Sequence, residues 1–282
     1  MDKINIIKNY RNFNEKNEDY YIFSGLLNSL EPQELIKSFD CSFILRKLKR
    51  KVFVYKIIFD VKNGHSQEYE QFFRNLLNNI SSLDSYHKKQ ASSQFLTDLY
   101  EYIPSDLQNE LIDYLLFSNY INDRKRGYNL LAIYWRDSFK KILEKAFLEY
   151  LDFDALDIII DKMSPKFLYK NYSTLNEFFP DEELEYDFEL LKLRNKFLIK
   201  IFDFAKKSIL PDLKQKDPIS YIFIMKENKE KIDEDFAYNT FLNTRRNSLI
   251  RWYGQMGLWN AILKIKKAIS NNSIQRLHSD AE

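Results

Sequence analysis

Apolar side chains return every three or four positions along most of this chain. In QEYEQFFRNLLNNI, QASSQFLTDLYEYI and SDLQNELIDYLLF they trace one stripe each, the mark of a helix with one buried face. The same spacing runs through Leu45, Leu48, Val52, Tyr55 and Phe59, with Gly64 placed to end that helix. Phe53, Tyr55, Ile57, Phe59 and Val61 also alternate as a strand would, but the three-four spacing begins upstream, so a helix is expected. Pro104-Ser105-Asp106 supplies a break and a helix start. Helical patterns over 138–150 and 154–163 follow one another, and Pro165 closes that pair by disfavouring helical geometry at Ser164. A long helix is expected over about 186–208, then the Leu210-Pro211-Asp212 turn, and a last helix over about 243–269 with a frayed tail. The expected fold class is all-α, roughly ten to fourteen helices in antiparallel pairs, forming an irregular bundle or a short α-solenoid.

The middle of the chain hints at repetition. Leu111, Leu115 and Leu116 correspond to Ile142, Ala146 and Phe147 one helix pair later, a period of roughly thirty residues. Between them lies NDRKRGYNLLAIYW, 122–135. Here Asn122 or Asp123 is expected to cap a second helix, with Arg124, Lys125 and Arg126 in a solvent-facing first turn. Over about 105–172 this arrangement resembles the helix pairs of HEAT-type repeats, an α-solenoid family. The resemblance implies a surface that binds other macromolecules. Residues 171–187 break the periodicity, contain Pro180 and turn acidic. A hinge there would divide the chain into regions 1–172 and 173–282; one continuous domain is the competing expectation.

Composition narrows the chemistry. The chain has 5 glycines and 6 prolines in 282 residues, and neither GxGxxG nor GxxxxGK[ST] occurs, so glycine-cradled nucleotide sites are excluded. Net charge is +2, which selects no partner by long-range field. The single cysteine, Cys41, rules out an internal disulfide and a thiolate zinc cluster. The N-terminal residues lack the apolar core of a secretory leader, and no apolar run approaches the roughly 18 residues of a membrane span. A cytoplasmic protein is expected, with no cofactor.

Three basic groups are candidate binding residues. Arg46, Lys47, Lys49, Arg50 and Lys51 crowd one predicted helix, with Lys56 and Lys62 beyond; Arg124, Lys125 and Arg126 form the second group. Arg245, Arg246 and Arg251 open the last predicted helix, which carries Lys264, Lys266 and Lys267 and no acid over 243–269. Such groups suit a phosphate backbone, and equally the solvated faces of packed helices. On the last helix Leu249, Trp252, Tyr253, Met256, Trp259 and Leu263 form a broad apolar face, fit for core packing, a partner or a lipid surface. Asp154, Asp157 and Asp161 are spaced to share a face, but no glycine-turned calcium loop accompanies them, and His65, His87 and His278 are scattered; no metal site is assigned.

One enzymatic pattern remains. Asp212, then ISYIFIM, then Glu227 and Lys229 are similar to the PD-(D/E)xK signature of restriction-endonuclease-like nucleases, in which two acids hold a divalent metal and the lysine activates water. That reading requires 219–225 to be a strand. The leading expectation is a non-enzymatic scaffold or adaptor that binds a protein partner. A nucleic-acid binder working through the basic helices is the alternative, the nuclease a remote one, and oligomeric state is left open.

Overall fold

A computed structural model of the chain describes residues 17–180, 187–244 and 248–279. Among them every regular element is helical and none is a strand, so the fold is all-α, with helices packed in pairs. None of these helices is long and apolar enough to cross a membrane. The chain divides into two compact units, Met1–Ile159 and Ile160–Glu282.

In the first unit the core is aromatic. Phe23, Phe53, Tyr69, Phe73 and Phe95 are fully enclosed. Phe39 joins them edge-on, with ring centroids 5.7 Å from Phe53 and 4.9 Å from Phe72, arrangements that add to simple area burial. Helices Ser105–Leu116 and Ile121–Ile133 form a closely packed pair. Gly127 permits that approach: a Cβ there would lie 2.9 Å from Leu116 Cδ2 and 3.2 Å from Leu115 Cβ. A glycine costs this helix about 1 kcal/mol relative to alanine. The close seam with Leu115 and Leu116, both fully buried, explains its presence.

Two stops follow from glycine. Helix Lys47–Lys62 ends at Gly64, with φ of 96°, where Gly64 N–H donates to Val61 O and His65 N–H to Asp60 O. This is the six-to-one and five-to-two closure of a Schellman motif, as the position of Gly64 predicts. The second stop overturns an expectation. The predicted helix over 243–269 is two, Ser248–Met256 and Trp259–Ser279, because Gly257 (φ 74°) builds the same closure, donating to Gly254 O while Leu258 donates to Tyr253 O. The predicted 186–208 helix likewise breaks at Ile201, between Phe188–Lys200 and Phe202–Ala205. Such breaks raise the number of helices among the described residues to 19, above the expected count.

The second unit packs Ile222, Ala237, Phe241, Leu249, Tyr253, Met256, Ala261 and Ile265 into one cluster. Tyr253 is fully buried and donates its hydroxyl to Ala237 O at 3.0 Å, and burial pushes its pKa up to about 12.

Candidate binding surfaces

The fold splits the NDRKR stretch: Asn122 and Lys125 are exposed, Arg126 is half-buried, and Asp123 and Arg124 face inward. Helix Ile121–Ile133 starts at Tyr120, whose side chain makes no cap, so neither Asn122 nor Asp123 caps it. Asp123 is fully buried and accepts four hydrogen bonds: from Ser93 Oγ (2.6 Å), Arg126 Nη1 (2.7 Å), Gln90 Nε2 (2.8 Å) and Ser118 Oγ (2.9 Å). Arg124 is also buried. Its Nε and Nη2 grip both oxygens of Asp152 at 2.6 and 2.9 Å, its Nη1 donates to Ser118 O at 2.9 Å, and its guanidinium lies 4.2 Å from the Tyr150 ring centroid. Tyr128 adds a hydroxyl donor to Asp152 at 2.8 Å. Lys125, more exposed, pairs with Asp154 at 3.0 Å. The Lys125 pair lies at the surface of the unit, while Arg124 and Arg126 are engaged inside it. Their physical role is to hold helices together through charge-assisted bonds in a low-dielectric interior.

The first basic group is sorted by the fold into two sets. Lys49 is 3% exposed and its Nζ lies 5.2 Å from the centroids of both Phe23 and Phe43. Burial, with Arg46 nearby, holds its pKa below the usual lysine range. Lys56 is buried against Asp60 at 2.6 Å, which Tyr69 also bonds at 2.5 Å, and Arg50 reaches Asp98 at 3.4 Å. Lys47, Lys51 and Lys62, with Arg46, stay exposed. The predicted stripe is therefore rotated: Tyr55 and Phe59, expected inside, are 61% and 64% exposed, and Leu45 is exposed too. The reason is that lysine stems are apolar enough to face a core when their ends find rings or carboxylates. Lys47, Lys51, Tyr55, Phe59 and Lys62 share the outer side of this helix, at spacings of three and four.

In the second unit, Arg245 and Arg246 lie outside the described residues. Arg251 is exposed, and Trp252 is half-buried, stacked on Phe223 at 5.8 Å. The break at Gly257 splits the predicted apolar face: Leu249, Tyr253 and Met256 are core, whereas Trp259 and Leu263 are each 62% exposed. Lys264 is paired with Asp235, and Glu234 bonds Ala261 N and Asn260 Nδ2, each at 3.0 Å, capping the last helix from a neighbouring one. The strand that the nuclease reading requires is absent, since 219–225 lie within helix Pro218–Glu227. Asp212 pairs with Lys216 at 3.2 Å, Glu227 is exposed, and Lys229 sits at φ 58° just beyond the helix end. Lys229 N–H donates to Lys226 O and Glu230 N–H to Met225 O, which makes Lys229 the left-handed terminator of that helix. Asp154 pairs with Lys125 and Asp161 with Lys162, and no group of three or more potential ligands is placed to hold a metal among the described residues.

A surface absent from the sequence reading lies in the first unit. Helix Pro32–Ser38 packs beside helix Ser66–Asn79, and a groove of about 610 Å³ runs between them. Its deeper lining is apolar: Ile36, Phe39, Phe72, Leu76 and Leu83, with half-buried Cys41 alongside. Burial pushes the Cys41 thiol up from its ordinary value, partly offset by the nearby Ser92 hydroxyl. The exposed lining consists of primary amides, Gln33, Gln67, Gln71, Asn75 and Asn79. Glu68 is the one charged side chain lining it among the described residues, and it bonds His65 at 3.0 Å. The signal was present in SQEYEQFFRNLLNN, where Gln67, Gln71, Asn75 and Asn79 recur every fourth residue. Uncharged polar residues on an outer helix face read as solvent-facing filler until the neighbouring helix shows what they border.

Comparison of the chain with protein-family profiles, with curated proteins and with solved structures gave no match.

Proposed function

We propose that this chain is a non-enzymatic helical scaffold whose first unit binds a protein partner. The groove between helices Pro32–Ser38 and Ser66–Asn79 carries this reading. It pairs an apolar base with an amide rim and presents no cation, which suits the neutral backbone and alternating side chains of a polypeptide and is ill suited to phosphates. In this reading the helix pairs over 105–159 act as a HEAT-like frame, braced by the Asp123 and Arg124–Asp152 networks. The protein works in a reducing compartment such as the cytoplasm, where Cys41 remains a thiol. The test is a photo-crosslinking residue placed at Asn79 in the native host. Protease-sensitive adducts of discrete mass are expected; adducts that only a nuclease removes, or none, overturn the reading.

A second reading rests on its own observation. Lys47, Lys51 and Lys62 flank the exposed rings of Tyr55 and Phe59, and a single-stranded nucleic acid could stack bases on the rings while the lysines meet phosphates. Absence of any mobility shift with single-stranded RNA or DNA at low salt removes it.

A further inference from the structure

The amide rim of the groove has a repeat that can be compared with a ligand. Gln67, Gln71, Asn75 and Asn79 are successive fourth residues of one helix. Each step rises about 6.0 Å along the axis, and because such a row is inclined about 26° to that axis, neighbouring side chains leave the helix about 6.7 Å apart along the row. In an extended polypeptide each residue advances about 3.3–3.4 Å, so residues that present N–H and C=O to the same side recur about every 6.6–6.8 Å. The two repeats coincide. A primary amide carries both donors and an acceptor, the set needed to exchange two hydrogen bonds with one residue of an extended chain, as one strand does with another.

The local chemistry agrees. Gln71 Nε2 donates to Asn75 Oδ1 at 2.7 Å, and Asn79 Nδ2 donates to Asn75 O at 2.7 Å, so the row is ordered before any ligand arrives. Each of these amides keeps bonding capacity beyond the bonds made, and Gln33 and Gln67 have no side-chain partner among the described residues. Side chains of an extended ligand alternate, and one set would descend onto Phe39, Phe72 and Leu83. Glu68, as the lone charge, favours a basic over an acidic residue at the Gln67 end.

We propose that helix Ser66–Asn79 receives an extended peptide of about five to six residues, held by its amide row, with alternate apolar side chains on the groove base. This deepens the protein-partner reading and rests on it. The row spans about 18 Å between its first and last Cα, which sets that length.

The experiment uses the full chain and a random octapeptide display library. Selected peptides are expected to alternate apolar residues with a period of two. The tightest is then synthesised with N-methyl groups on odd or on even residues. Methylating one set is expected to weaken binding at least tenfold, because its N–H groups face the amides, and the other set much less. Gln71→Ala/Asn75→Ala replaces two exposed helix residues by the best helix former, leaves the circular dichroism unchanged, and is expected to weaken binding at least tenfold. Equal effects of the two methylated sets, or full binding by the double variant, overturn the amide row while leaving a protein partner standing. No selected peptide together with no protein adduct at position 79 removes both. Binding of single-stranded RNA that the double variant abolishes overturns the peptide in favour of nucleic acid.

Discussion

Replacing Arg124 by methionine tests whether the basic stretch is a frame or a ligand grip. Methionine keeps an unbranched stem but removes the guanidinium, so Asp152, buried, keeps one donor of the three it has, the Tyr128 hydroxyl at 2.8 Å. Ser118 O loses its Nη1 donor, and the cation over the Tyr150 ring is gone. Stranding one member of a buried ion pair costs about 3–5 kcal/mol, most of it the uncompensated charge. Arg124→Met/Asp152→Leu removes both charges and is expected to recover at least half of that loss. The pH dependence changes sign as well. Burial raises the Asp152 carboxyl, but the hydrogen bonds from Arg124 and Tyr128 outweigh it and hold its pKa below the usual range. A carboxyl lowered on folding contributes stability above its unfolded value, near pH 4, and loses it as pH falls through the folded value. In Arg124→Met only the Tyr128 hydroxyl and the weaker pull of Lys125 oppose the burial, so the first unit is expected to gain stability on acidification from pH 7 to about 5. Urea unfolding followed by Trp135 fluorescence, in a Trp252→Phe/Trp259→Phe background so that only the first unit reports, measures both. A loss under about 1 kcal/mol, a double variant no better than the single, or superimposable pH profiles would refute the internal-frame account.

Three further outcomes are expected. Lys229→Gly should stabilise the second unit by about 0.5–1 kcal/mol in urea, since a left-handed φ of 58° costs a side-chain-bearing residue more than glycine. If helix Lys47–Lys62 binds single strands, log K against log salt should have a slope of roughly −2, from three outward lysines, rather than roughly −5 from all seven cations of 46–62; a filter-binding salt series decides. Iodoacetamide should modify Cys41 at pH 8 several-fold more slowly than a free cysteine, because burial raises its thiol pKa, and more slowly still with a selected peptide in the groove; equal rates would contradict its placement.

The sequence alone determined the α-helical class, the scarcity of glycine loops, the stop at Gly64 and the buried positions Leu111, Leu115, Leu116, Ala146 and Phe147, because these follow from backbone periodicity and local sterics. It failed where a residue's environment is made by distant chain. Arg124 is a surface cation by composition and becomes buried because Asp152, 28 positions on, neutralises it. Lys49 faces the core because Phe23 and Phe43 offer it rings, and that turns Tyr55 and Phe59 outward on the same helix. The amides from Gln67 to Asn79 were legible as a row, but that they rim a groove depended on helix Pro32–Ser38 packing beside them. Periodicity is a property of neighbours along the chain; burial of charge and the shape of a binding surface are properties of neighbours in space, and only packing brings those together.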